Sequence, residues 1–179
     1  LYPSTYDITP NMTAEGLIRI MAGQFEKVFS REFADRANGS RLSKRQIITL
    51  ASMIEKEAVR PEEKPLIASV FYNRLARRMP LQSDPTAVYG VRAFSGNISK
   101  QDITHATPFN TYRISGLPPG PIGNPGSGAI EAALKPALTR YLYFVAKRDG
   151  THYFSSTLVE HNAAVRKYLK GDNLSATGK

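Results

Sequence analysis

Apolar residues return at helical spacing through the first half of the chain. Leu17, Ile20, Met21, Phe25, Val28 and Phe29 recur behind Thr13, which predicts a first amphipathic helix capped by that threonine and broken by residues 36–42 around Asn38-Gly39-Ser40. Ser43 and Gln46 form a Ser-x-x-Gln capping box, opening a second helix that the pattern carries to Arg60, where Pro61 stops it. A third helix is expected from near Pro65 to Pro80, with Leu66, Ile67, Val70, Phe71 and Leu75 turned inward.

From there the periodicity gives way to turns. Residues 80–126 hold Ser83-Asp84-Pro85-Thr86, a short helix start at Ser99-x-x-Asp102, and the proline-stiffened loop Gly116-Leu117-Pro118-Pro119-Gly120-Pro121. Ser127 is expected to cap a helix through Leu134. Two β-rich runs, 141–147 and 151–156, flank Arg148-Asp149-Gly150 and predict a hairpin, and a last helix is expected from about Leu158 to Leu169, ending at Gly171. The sum is an α+β fold: several helices packed on a small antiparallel sheet, with residues 1–41 as lead-in and first helix, 42–170 as the principal unit and 171–179 as a flexible C-terminal tail.

Composition narrows this picture. The 179 residues, 41% apolar, suffice for one sizeable core and are too few for two full domains. The net charge of +9 favours an anionic partner, but the basic residues are scattered, with only pairs such as Lys44-Arg45 and Arg77-Arg78, so nucleic acid is not expected as a partner. There is no cysteine, which excludes disulfides, thiolate metal sites and cysteine nucleophiles. His105, His152 and His161 are too far apart in sequence for a metal box, so no metal is expected.

The candidate chemistry lies in Ser52-Met53-Ile54-Glu55-Lys56-Glu57-Ala58, where two carboxylates sit in an otherwise apolar helix. A carboxyl at the edge of an apolar face can be desolvated enough to keep its proton near neutral pH and serve as a general acid. Residue steps of about 100° place Glu55 roughly 65° from the centre of the apolar face and Glu57 roughly 95° away on the other side, so Glu55 is expected to be the more buried. Both could equally be solvated flank residues paired with Arg60 or Lys56.

Several stretches in order resemble one family. Ala51-Ser52-Met53-Ile54-Glu55-Lys56-Glu57, Ala68-Ser69-Val70-Phe71-Tyr72-Asn73-Arg74-Leu75, Leu81-Gln82-Ser83-Asp84-Pro85-Thr86, Pro108-Phe109-Asn110-Thr111-Tyr112, Gly116-Leu117-Pro118-Pro119-Gly120-Pro121-Ile122, Tyr141-Leu142-Tyr143-Phe144-Val145 and His161-Asn162 are similar to the YceG-like endolytic murein transglycosylases. The resemblance implies a lytic transglycosylase that cuts the bond between N-acetylmuramic acid and N-acetylglucosamine in peptidoglycan without water, leaving 1,6-anhydro ends. It implies Glu55, the first glutamate of the Glu-Lys-Glu motif, as acid and then base, on a helix beside a loop-lined cleft. Glu57, Gln82, Asp84, Asn110, Tyr112 and Asn124 are the expected substrate-binding residues. No pyridoxal-phosphate lysine context is recognisable and no cofactor is expected. The resemblance further implies a cell-membrane anchor, absent from these residues, an extracytoplasmic catalytic domain, and peptidoglycan synthases as candidate partners. A lysozyme-like hydrolase and a non-catalytic cell-wall binding module are the alternatives.

Overall fold

The computed structural model describes residues 1–93 and 98–170. Three long helices and a hairpin organise it: α1 (Ala14–Glu32), α3 (Lys44–Glu57), α4 (Lys64–Ala76), and strands β1 (Tyr143–Ala146) and β2 (His152–Ser155). Shorter helices α2 (Ala34–Asn38), α5 (Asp84–Val88), α6 (Lys100–Thr104), α7 (Ser127–Leu134) and α8 (Leu158–Val165) fill the connections.

Helix α3 is the axis of the core. Its reciprocal Ser43/Gln46 capping box forms as expected, and Ile47, Leu50, Ala51, Met53 and Ile54 are fully buried. Against it pack α7, through Ala129, Ile130, Ala132 and Ala133, and α4, through Ile67, Ala68 and Phe71. The alanines of α7 allow close approach of the two axes. Helix α1 joins mainly through Phe29, with Phe33 just beyond its end, and leaves Ile18 and Ile20 exposed. The lead-in lies along α1, where the Tyr2 N–H donates to the Met21 carbonyl at 3.3 Å.

Element boundaries differ from the sequence expectation where backbone chemistry intervenes. Helix α3 stops at Glu57 rather than Arg60, because Ala58 is already extended and Arg60, preceding Pro61, is held out of the helical region. Gly126, not Ser127, occupies the N-cap of α7. Helix α8 passes at Arg166 into a wider π-type turn through Lys170, and the expected stop at Gly171 and the tail 171–179 lie outside the described residues.

The α+β class holds, with the sheet among the described residues reduced to one antiparallel hairpin paired Tyr143 to Ser155 through Ala146 to His152. Two strands alone are marginal in water, so this hairpin depends on what it packs against. Phe144 meets Phe71 of α4 edge-to-face at 6.2 Å between ring centroids. Glu63 ties the start of β2 to the α3–α4 corner, accepting from the His152 N–H at 2.9 Å and lying 2.7 Å from its Nδ1. The hairpin is thereby fixed beside the C-terminal end of α3.

Candidate active site

The segment after α4 crosses the end of α3 and builds one wall of a cleft. Ser83 Oγ donates to Glu57 Oε1 at 2.6 Å, tying this segment to the last residue of α3. Ser83 is itself fixed by Thr111, whose Oγ1 accepts from the Ser83 N–H at 2.9 Å and lies 2.7 Å from Thr86 Oγ1. Between them Gln82 takes a left-handed backbone conformation with φ of +52°, held by its N–H to the Thr111 carbonyl. A non-glycine residue held there signals a position determined by its surroundings.

The resulting cleft encloses about 540 Å³, and its lining includes Glu57, Gln82, Asp84 and Tyr112 together with Arg74, Tyr143, His152 and His161. Burial pushes the Glu57 carboxyl up to about 7, opposed by the Ser83 hydrogen bond and assisted by the nearby Asp84 charge. Asp84 is also raised by burial, against the opposing effect of the Tyr112 hydroxyl, which donates to its Oδ1 at 2.5 Å. Desolvation and the adjoining carboxylates keep the Tyr112 phenol protonated. A carboxyl pushed up to about 7 can hold its proton near neutral pH, as a general acid must.

Arg74 braces the floor. Its Nε donates to the Leu142 carbonyl at 2.7 Å, and its Nη1 to the carbonyls of Pro80 and Leu81 and to Gln82 Oε1 at 3.0 to 3.1 Å. The guanidinium also lies 5.1 Å from the centre of the Tyr143 ring, on which His161 stacks at 5.1 Å.

Both glutamates are partly buried. Glu55, the residue expected to be deeper, has a side chain 35% exposed, and the carboxyl raised by burial is that of Glu57. The helical wheel measures angles about one axis, whereas Glu57 is covered by residues 81–84 passing over the end of the helix. Glu55 faces another direction: its carboxylate accepts from Lys64 Nζ at 3.1 and 3.2 Å and from the Gly126 N–H at 3.2 Å. It joins α3, the start of α4 and the entry to α7.

Ser52 does comparable work one turn earlier. Its Oγ donates to the Thr49 carbonyl at 2.7 Å and accepts from the Ile122 N–H at 2.9 Å, fastening the proline-rich loop to α3. Because both partners are buried, Ser52→Ala should strand the Ile122 N–H and lower stability by about 1–3 kcal/mol, measurable as a shifted denaturant midpoint.

Of the other expected substrate contacts, Gln82, Asp84 and Tyr112 line the cleft with Glu57, and Asn110 and Asn124 do not. Asn110 is fully buried: its amide donates to the carbonyls of Asp102, Ile103 and His105, and its Oδ1 accepts from the Tyr112 N–H. That set of bonds positions Tyr112 and leaves the side chain facing protein. Asn124 is exposed on the loop before Gly126. Arg74, Ser83 and His161 are cleft or cleft-bracing residues that the sequence pattern does not assign to the site. A signal existed for Arg74, which follows Ile67 and Phe71 at helical spacing on the inward face of α4.

Among the described residues no group of three or more His, Asp or Glu side chains could hold a metal ion, and no helix is long and apolar enough to cross a membrane.

Fold and cleft together define a helical α+β domain with an acid-bearing cleft at the end of its central helix. The chain belongs to the YceG-like family, whose model matches residues 1–167. It is 40% identical over 174 residues to the endolytic murein transglycosylase of Bacillus subtilis, covering 97% of this chain and 48% of that protein. It is 35% identical over 175 residues to the endolytic murein transglycosylase of Streptococcus pneumoniae serotype 2, covering 94% and 32% respectively. The crystal structure of a YceG-like protein from Listeria monocytogenes superposes with a TM-score of 0.84 at 41% identity, over 91% of this chain and 53% of that one. The chain thus spans about half the length of the Bacillus relative and about a third of the streptococcal one.

Proposed function

We propose that this domain is an endolytic lytic transglycosylase that cleaves the β-1,4 bond between N-acetylmuramic acid and N-acetylglucosamine in peptidoglycan, with Glu57 as the acid and then the base. The observation that carries this reading is a carboxyl raised to about 7 in an open cleft, in a chain whose relatives are named for murein transglycosylation. Protonated Glu57 gives its proton to the glycosidic oxygen as the C1–O bond breaks. The muramic C6 hydroxyl then attacks C1, the resulting carboxylate takes the hydroxyl proton, and a 1,6-anhydro ring closes with no water consumed.

Glu55, the catalytic assignment drawn from the resemblance, is the competing candidate. Its bonds to Lys64 and Gly126 support a bracing role instead. Asp84, Tyr112 and Gln82 would bind sugar hydroxyls or steady the developing positive charge at C1, a role supported by their place in the lining of the cleft. A hydrolytic alternative would use Asp84 as the base that activates water. Against it stands the naming of the chain's relatives for murein transglycosylation rather than hydrolysis.

Product analysis separates the two readings. Digestion of purified glycan strands should give anhydro-muramic ends, and reducing ends alone would point to hydrolysis. The pH profile gives a second check. Because the free enzyme must begin with Glu57 protonated, kcat/KM should fall about tenfold per pH unit above about 7. A limb near 4.5, the ordinary value for a glutamate, would contradict a Glu57 carboxyl raised by burial as the acid. The proposed setting is the outer face of the cytoplasmic membrane, with glycan strands as substrate and peptidoglycan synthases as partners.

A further inference from the structure

The cleft carries both kinds of hydrogen-bonding group. Glu57 and Asp84 can accept, whereas the Gln82 amide nitrogen, left over once Oε1 has taken the Arg74 bond, and His161 can donate. His161 sits on the first turn of α8, its ring stacked on Tyr143 at an interplanar angle of 24°. Its Nδ1 is buried and has no hydrogen-bond partner among the described residues, which leaves Nε2 as the nitrogen open to the cleft. A proton on Nδ1 would be a buried donor with nothing to receive it, so the tautomer that fits this pocket carries its hydrogen on Nε2.

We propose that His161 donates from Nε2–H to the acetamido carbonyl oxygen of an N-acetylated sugar, and that this contact selects acetylated over de-N-acetylated glycan. The inference rests on the glycan reading given above. An amide carbonyl oxygen accepts without donating and so matches these donors; hydroxyls can be served equally by the carboxylates. A de-N-acetylated sugar replaces that acceptor with an ammonium group, which would meet the same donors and the Arg74 charge. Burial and the Arg74 charge both hold His161 below the ordinary histidine range, which keeps the ring a single-proton donor rather than a second cation.

The test uses two probes, an N-acetylglucosamine oligomer and its fully de-N-acetylated counterpart, together with nitrogen NMR of the imidazole in the free protein. The proposal expects the Nε2–H tautomer, at least about tenfold tighter binding of the acetylated oligomer by the wild type, and loss of most of that preference in His161→Phe, which keeps the stacking ring. A proton on Nδ1, or an unchanged preference in His161→Phe, overturns it while leaving the cleavage reading standing. Failure of the wild type to bind either oligomer also overturns it, and the cleavage reading is judged separately by the anhydro-muramic products of digested glycan strands.

Discussion

Glu57→Gln is expected to lower glycan cleavage by about 10²–10⁴-fold, the usual contribution of a positioned general acid, while leaving glycan binding largely intact. The same variant should be the more stable protein at alkaline pH. In the folded state Glu57 holds its proton to about 7, against 4.5 for an ordinary glutamate. Its stability contribution is therefore fully present below 4.5 and is lost as pH rises through 7, because the unfolded chain ionises first. The loss is on the order of 3 kcal/mol, and glutamine does not incur it. Denaturant unfolding of wild type and variant at pH 5 and pH 8 checks the sign: the gap should favour the variant at pH 8 and shrink or reverse at pH 5. Activity held at the expense of stability is a recurrent property of functional sites.

Arg74→Met should produce the largest loss of stability outside the hydrophobic core, about 3–5 kcal/mol, with the hairpin and the 80–83 segment loosened together. Arg74 is only 6% exposed and serves three backbone carbonyls and Gln82 at once. Removing it strands the carbonyls of Pro80, Leu81 and Leu142. Lysine should rescue little, since a single ammonium cannot span acceptors arranged around a planar fork. Thermal unfolding gives the magnitude, and amide exchange on β1 and residues 80–83 shows where the damage falls. Full protection at both places in Arg74→Met would contradict this bracing role.

Local structure was the legible part of the sequence. The Ser43/Gln46 box, the Ser99/Asp102 start and the hairpin around Asp149-Gly150 are each determined within a few residues, and each formed. The relative burial of Glu55 and Glu57 was not legible, because it depends on Ser83 and Asp84 folding back over the end of α3 from 26 and 27 residues away. Asn110 illustrates the same limit from the other side. Its polar side chain in a motif reads as a ligand-binding group, yet the chain from 102 to 105 turns around it and consumes its amide. Arg74 was hidden by its charge: a basic residue in a helix is ordinarily solvated, and only the carbonyls brought in by Pro80, Leu81 and Leu142 make its burial favourable.

The most direct measurement is mass analysis of peptidoglycan glycan strands digested in parallel by the wild type, Glu57→Gln and Glu55→Gln, with each variant first shown to be folded. Glu57 as acid and base predicts anhydro-muramic ends from the wild type, almost none from Glu57→Gln, and a substantial yield from Glu55→Gln, whose amide can still accept from Gly126. Abundant anhydro ends from Glu57→Gln together with none from Glu55→Gln would contradict it and return the chemistry to Glu55.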